Sequence, residues 1–96
     1  MGELRDRVRQ KADEIKALAQ THHANDIMVF GSVARGDDRA DSDIDFLVEF
    51  NPGASILDQV HLELELRTLL QCDVDVVPRG GLKHRDQHVL DEAVAL

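Results

Sequence analysis

The sequence predicts a small α/β domain: a mixed sheet of at least three strands flanked by about four helices. Three observations carry that expectation. Apolar residues recur at three- and four-residue steps near the start of the chain. Three short runs rich in Val, Ile and Phe are each bounded by polar or turn-forming residues. Helical and strand patterns alternate as α-β-(turn)-β-α-β-α, which packs as helices around a sheet. The 96 residues are expected to form one domain, 1–96, because a chain this short buries only roughly 60–65% of its unfolded surface and has little material for a second lobe.

Residues 3–21 read as one amphipathic helix, with Leu4, Val8, Ala12, Ile15, Leu18 and Ala19 on the apolar stripe. Asp26–Phe30 ("DIMVF") reads as a short buried strand that ends at Gly31. Residues 31–42 are rich in Gly, Ser and charge, which predicts a turn holding a single helical turn at Ser32–Arg35. Asp43–Phe50 alternates, placing Ile44, Phe46, Val48 and Phe50 on one face and Asp43, Asp45, Leu47 and Glu49 on the other. This second strand ends at "NPG".

Residues 56–71 alternate locally in "HLELEL", yet their length and Leu/Glu content favour a helix. Such a helix has two apolar sides: Leu57, Val60 and Leu64 on one, Leu62, Leu66, Leu69 and Leu70 nearly opposite. Only one can face the domain's own sheet. The other is covered either by neighbouring helices or by a protein partner; the helix at 56–71 is the candidate docking surface, with Leu62 and Leu66 the positions at which a charge is expected to break it. Asp73–Val77 ("DVDVV") reads as a third strand stopped by Pro78. Residues 83–96 read as a final helix with Val89, Leu90, Ala93 and Val94 inward.

Composition narrows the function. With 43% hydrophobic and 31% charged residues the chain is not a disordered one. Three Phe and no Trp or Tyr leave the core to Leu, Val, Ile and Ala. A net charge of −8 argues against direct nucleic-acid binding, which needs a clustered basic surface, and makes an acidic site attractive to cations. The single Cys72 precludes an internal disulfide and reads as a small apolar filler. No apolar run approaches the roughly 20 residues of a membrane span, so no membrane role is expected and the expected location is the cytoplasm.

The chemistry concentrates in "FGSVARGDDRADSDIDFLVEF", Phe30 to Phe50. On a strand, residues i and i+2 share a face about 6.6 Å apart, so Asp43 and Asp45 can converge on a small hard cation. Taken alone, the pair reads more simply as a solvated strand entrance. Asp75, between Val74 and Val76 on the third strand, changes the balance: with the second and third strands adjacent, three carboxylates share a face and call for a divalent metal. The competing placement leaves Asp75 in solvent at a sheet edge. Asp73 reads as solvated or as a weaker ligand.

Gly31-Ser32 follows a strand and opens a helical turn, where backbone N–H groups and a hydroxyl can hold a phosphate. In isolation Gly-Ser is an ordinary turn and N-cap; its position beside the acidic cluster gives it weight. Arg35 is either a phosphate contact or a partner of the aspartates at 37–43. Arg39 reads as solvated, and His22 and His23 fall at the end of the first helix. His84 and His88, spaced i, i+4, lack a third zinc ligand and read as an exposed helix face.

Gly31-Ser32, ten intervening residues, then Asp43-x-Asp45, with Asp75 as a third carboxylate, resembles the signature of the polymerase-beta-like nucleotidyltransferases. Together with the Leu/Glu-rich helix and "DVDVV", the chain is most similar to the minimal (MNT-type) nucleotidyltransferases, the antitoxin halves of HEPN/MNT toxin–antitoxin pairs. The resemblance covers nearly the whole chain. It implies the polymerase-beta-like fold and a protein adenylyltransferase that uses ATP and two Mg²⁺ ions. Gly31, Ser32 and, more weakly, Arg35 would bind the nucleotide, Asp43 and Asp45 would bind both metals, and Asp75 would bind one metal and help to activate the acceptor. The implied acceptor is a tyrosine on a HEPN ribonuclease partner, which AMP addition inactivates. Two departures matter: the chain contains no Tyr to modify in itself, and it leaves no space for the helical lobe of larger relatives. The alternative is a non-catalytic antitoxin that neutralises its partner by complex formation. Transfer to a small molecule such as an aminoglycoside is disfavoured by the missing lobe.

Overall fold

The computed structural model describes residues 2–39 and 41–96. Its elements run α1 (Glu3–Gln10), α2 (Ala12–Thr21), β1 (Ala24–Phe30), α3 (Gly31–Arg35), β2 (Ile44–Phe50), α4 (Ile56–Leu70), β3 (Val74–Pro78), two 3₁₀ turns (Arg79–Gly81 and His84–Asp86), α5 (Gln87–Glu92) and β4 (Val94–Ala95). The strands form one mixed sheet in the order β3-β2-β1-β4. Strand β1 is antiparallel to β2 and β4, and β2 is parallel to β3.

Register divides the sheet into two chemically distinct faces. Val29 lies opposite Phe46, Ile27 opposite Val48, Ile44 beside Val74 and Phe46 beside Val76. This face is buried with Leu4 and Val8 of α1, Ile15 and Ala19 of α2, and Leu62, Leu66 and Leu70 of α4. The opposite face carries Phe30, Asp45 and Asp75 in adjacent strands. Leu47 and Val89 are also buried, outside that main cluster; α5 packs against β1 and α3.

Helix α4 ends its strand-like alternation by splitting its leucines. Leu62, Leu66 and Leu70 are fully buried, whereas Ile56, Leu57, Val60 and Leu64 are 71%, 60%, 45% and 53% exposed. The i, i+4 spacing of the buried set, one residue per turn, fits the sheet. The same helix covers the outer edge of β3: Gln59 Nε2 donates to the Val76 carbonyl at 3.2 Å, Arg67 to the Val74 carbonyl, and Glu63 Oε1 accepts from the Val76 amide at 3.4 Å. Leu62 and Leu66 are therefore core, and the sequence-based choice of them as a docking surface is corrected to Ile56, Leu57, Val60 and Leu64.

Two further expectations need correction. The first helix is two, broken at Lys11 (φ −109°, ψ 16°), whose N–H is shared between the Arg7 and Val8 carbonyls. No Gly or Pro marks the break, so the sequence carried no local signal for it. The tail is not one helix: Ala93 turns extended (φ −66°, ψ 136°), and Val94–Ala95 pairs with Val29 and Met28 along the free edge of β1. Val94 is consequently 47% exposed rather than inward, and His84 and His88 fall in different elements.

Substituting Leu66→Ala is expected to remove about 2–5 kcal/mol of stability, as for other buried leucines. Leu64→Ala should change it by less than about 0.5 kcal/mol. Urea denaturation distinguishes the two, and equal losses would contradict the placement of α4.

Candidate active site

Asp45 stands on β2 directly beside Asp75 on β3, paired in parallel register. Neighbouring residues on adjacent strands share a face, so the two carboxylates project together. Asp75 is exposed and Asp45 half-buried. Both readings of Asp75 thus hold in part: it lies on an edge strand in contact with solvent, and it is paired with Asp45. Asp43 is exposed and sits one residue before β2 begins. The amide of Ile44 donates to the Asp73 carbonyl at 3.0 Å, which fixes the entry of this loop against the start of β3.

Burial drives the Asp45 carboxyl up from 3.8 to about 6, with repulsion from Asp75 and then Asp43 adding to it, while Arg35 pulls the other way. The three acids are therefore close enough to sense one another. Among the described residues, however, no three His, Cys, Asp or Glu side chains form a ready-made cage for a metal ion. That arrangement suits Mg²⁺ better than a preformed all-protein site, since Mg²⁺ retains waters and completes its shell with substrate phosphates. The excess negative charge on Asp45 is the observation that fits a divalent cation here.

Gly31 lies directly against this group. Its φ is +75°, and a Cβ built on it would come 2.6 Å from Asp45 Oδ2. Both the left-handed backbone and the space exclude other residues. Helix α3 starts at Gly31, and its N-cap residue Phe30 makes no side-chain capping bond. Ser32 is half-exposed in that first turn. Arg35 is held by Asp37 (Nε to Oδ2, 3.2 Å) and by Glu92 of α5 (Nη1 to Oε1, 3.1 Å). It sits near enough to lower Asp45, yet its hydrogen bonds go to carboxylates.

Two residues escaped the sequence reading. Glu92 belonged to the polar side of the supposed last helix, and nothing local marks it as the partner of Arg35. Asp38 is the one buried charged residue among those described, and in the sequence it is one more acid in an acidic loop. The histidines at 22 and 23 follow α2 as expected, but they pair with α4: His22 with Glu65, and His23 with Asp58 at 3.1 Å.

The chain matches the nucleotidyltransferase domain family over residues 4–96. Protein adenylyltransferase MntA of Thermococcus cleftensis is 41% identical over 68 residues, covering 71% of this chain and 69% of that one. A protein of Methanocaldococcus jannaschii, provisionally named a protein adenylyltransferase, is 43% identical over 77 residues, or 76% of this chain and 80% of its own. A solved structure provisionally described as a minimal nucleotidyltransferase superposes with a TM-score of 0.88 at 42% identity, covering 96% of this chain and 95% of that one. The same fold recurs in a chain of a toxin–antitoxin complex crystallised with AMP-PNP, at TM-score 0.75 and 24% identity over 86% of this chain and 69% of that one.

A carboxyl with a raised folded pKa binds more protons folded than unfolded. Its ionisation therefore costs stability as pH rises from about 4 to about 6, and the full cost persists above that. Asp45→Asn should accordingly stabilise the metal-free protein at pH 7.5 by roughly 1 kcal/mol after allowance for solvent screening, and by about half as much at pH 5, which lies midway through the titration window. Thermal melts at the two pH values test this; a gain of equal size at both would refute the crowding. Gly31→Ala should lose about 1–3 kcal/mol in the same melts from its backbone conformation alone.

Proposed function

The chain belongs to the nucleotidyltransferase domain family, and from that premise we propose that it is a Mg²⁺-dependent protein adenylyltransferase of the antitoxin kind. It takes AMP from ATP and places it on a tyrosine hydroxyl of a HEPN-type ribonuclease partner, releasing pyrophosphate. The observation that carries this reading is the pairing of Asp45 with Asp75 beside Gly31, with Asp43 close enough to raise Asp45 further.

In this reading Asp43 and Asp45 hold two Mg²⁺ ions and Asp75 holds one of them. When bound, the metals neutralise the polyphosphate, acidify the attacking hydroxyl and favour in-line displacement. The first-turn amides at Gly31 and Ser32 and the Ser32 hydroxyl hold the triphosphate. Gly31 brings the backbone close because it has no side chain to fill the gap beside Asp45. Asp75, open to solvent, accepts the proton of the acceptor hydroxyl. The acceptor oxygen then bonds to the α-phosphorus as the bond from that phosphorus to the β-phosphate oxygen breaks. Arg35 reaches a phosphate by exchanging its carboxylate partners for the more highly charged ligand.

The acceptor tyrosine comes from another chain, because this one has none. Ile56, Leu57, Val60 and Leu64, exposed together on α4, supply an apolar surface for that partner. The same surface also favours a second reading, in which the chain neutralises its partner by binding alone.

Incubation with the cognate HEPN partner, Mg²⁺ and radiolabelled ATP should label the partner. Asp43→Ala or Asp45→Ala should lower the rate by at least the roughly 100-fold that loss of an outer-shell metal contact can cost. No transfer with Mg²⁺ or Mn²⁺ and any of the four nucleoside triphosphates would sink the enzymatic reading. Neutralisation that survives both aspartate variants but fails in a Leu57→Glu/Val60→Glu variant would establish the binding one.

A further inference from the structure

Asp38 is 1% exposed, and it is used in an unusual way. Its Oδ2 accepts the backbone N–H of Leu4 at 2.9 Å, across 34 residues of sequence, while its Oδ1 is buried with no hydrogen-bond partner among the described residues. Leu4 lies in the first turn of α1. That helix starts at Gly2 in the left-handed region (φ 77°), with no capping side chain of its own. Asp38 therefore caps α1 from a distant loop, and the positive end of the helix partly compensates its charge.

A buried carboxylate is costly, and a neutral residue would fill the same space more cheaply. What Asp38 secures is the loop that joins α3 to β2. Between Asp37 and Ile44 the other backbone hydrogen bonds are internal, namely Ser42 N–H to the Arg39 carbonyl and Arg39 N–H to Ser42 Oγ. The Asp38–Leu4 bond ties the middle of this stretch to α1, while its two ends are held by the Asp37 N–H on the Ser32 carbonyl and the Ile44 N–H on the Asp73 carbonyl. Arg5 of the same helical turn packs over Gly36, where a Cβ would come 2.8 Å from Arg5 Nη1. One end of the loop carries Arg35 and its partner Asp37, and the other carries Asp43.

We propose that Asp38 is a positioning residue: by capping α1 it holds the 36–43 loop so that Asp43 stands beside Asp45 and Asp75. The inference rests on the metal-dependent reading of that site. Asp38 touches neither nucleotide nor metal. It fixes the reach of a carboxylate that, unlike Asp45 and Asp75, lies outside the strands.

The test compares Asp38→Ala, Asp38→Asn and Val8→Ala. Val8 is a buried residue of the same helix and serves as a control for lost packing. Asp38→Asn keeps an acceptor oxygen for the Leu4 amide. Mn²⁺ binding is followed by electron paramagnetic resonance, without ATP or partner, and amide hydrogen exchange is followed over residues 36–44. Asp38→Ala should raise the Mn²⁺ dissociation constant about tenfold, the lower bound for losing a residue that orients a metal ligand. It should also speed exchange in the loop, while Asp38→Asn restores both and Val8→Ala moves neither. If Asp38→Ala does not fold, Asp38→Val, which also lacks an acceptor but fills more of the space, replaces it in the same comparison. Faster loop exchange with unchanged Mn²⁺ affinity would reduce Asp38 to a helix cap and overturn the proposal, as would equal effects of Asp38→Ala and Val8→Ala. Wild-type protein that binds no Mn²⁺ either alone or with a non-hydrolysable ATP analogue would instead overturn the metal-dependent reading and this inference with it.

Discussion

Crowding of negative charge at one end of a small sheet is the constraint on which the rest of the structure depends. Asp45 and Asp75 are placed side by side by parallel pairing of β2 and β3, the arrangement in which like charges repel most along a sheet. The chain accepts this in a domain with only three Phe and no Trp or Tyr, of which Phe46 alone belongs to the buried core. Stability must therefore come from the other face. Ile27, Val29, Ile44, Phe46, Val48, Val74 and Val76 all point there, against α1, α2 and α4. The division of labour follows from the period of two: each residue turned toward chemistry is flanked by residues turned toward the core.

Much of this was legible in the sequence because it follows from periodicity. Alternation along 43–50 placed the acids on the face opposite Phe46 and Val48, and the order of elements brought Asp75 to a neighbouring strand. What stayed hidden depends on contacts between distant parts of the chain. The break at Lys11 has no Gly or Pro to announce it. Strand β4 consists of Val94 and Ala95 alone, whose pairing is decided by the open edge of β1 rather than by any run of their own. The orientation of α4 was ambiguous because both sides are apolar; the edge of β3 resolves it through Gln59, Glu63 and Arg67. Asp38 and Glu92 were missed for the same reason, since each acts on a partner more than 30 residues away.

The small size of the domain shapes what its site can do alone. Larger polymerase-beta-like enzymes bring a helical lobe to their substrates, and this chain has little to close over its acids except α5. Glu92 reaches from that helix to Arg35, which Asp37 also holds. Arg35, the cation that opposes the rise of the Asp45 carboxyl, is thus shared among carboxylates rather than committed to Asp45. On the proposed function, a triphosphate with its metals would bring both missing elements together, cations for the aspartates and an anion for Arg35, so that binding of the substrate would resolve two electrostatic conflicts at once.

The same reasoning explains why the apolar face of α4 and the acidic site are separate features. Leu57, Val60 and Leu64 project from the side of α4 away from its buried leucines, and α4 packs against β3, the strand that carries Asp75. A partner resting on α4 would therefore be anchored to the strand that carries the carboxylate proposed to accept the acceptor's proton. Gln59 and Arg67 donate to β3 carbonyls and Glu63 accepts from the Val76 amide, which ties helix and strand together. On the proposed function, affinity for the partner and alignment of its hydroxyl with Asp75 would then arise from the packed pair of α4 and β3, which would let a domain of this size hold a protein substrate in a defined orientation.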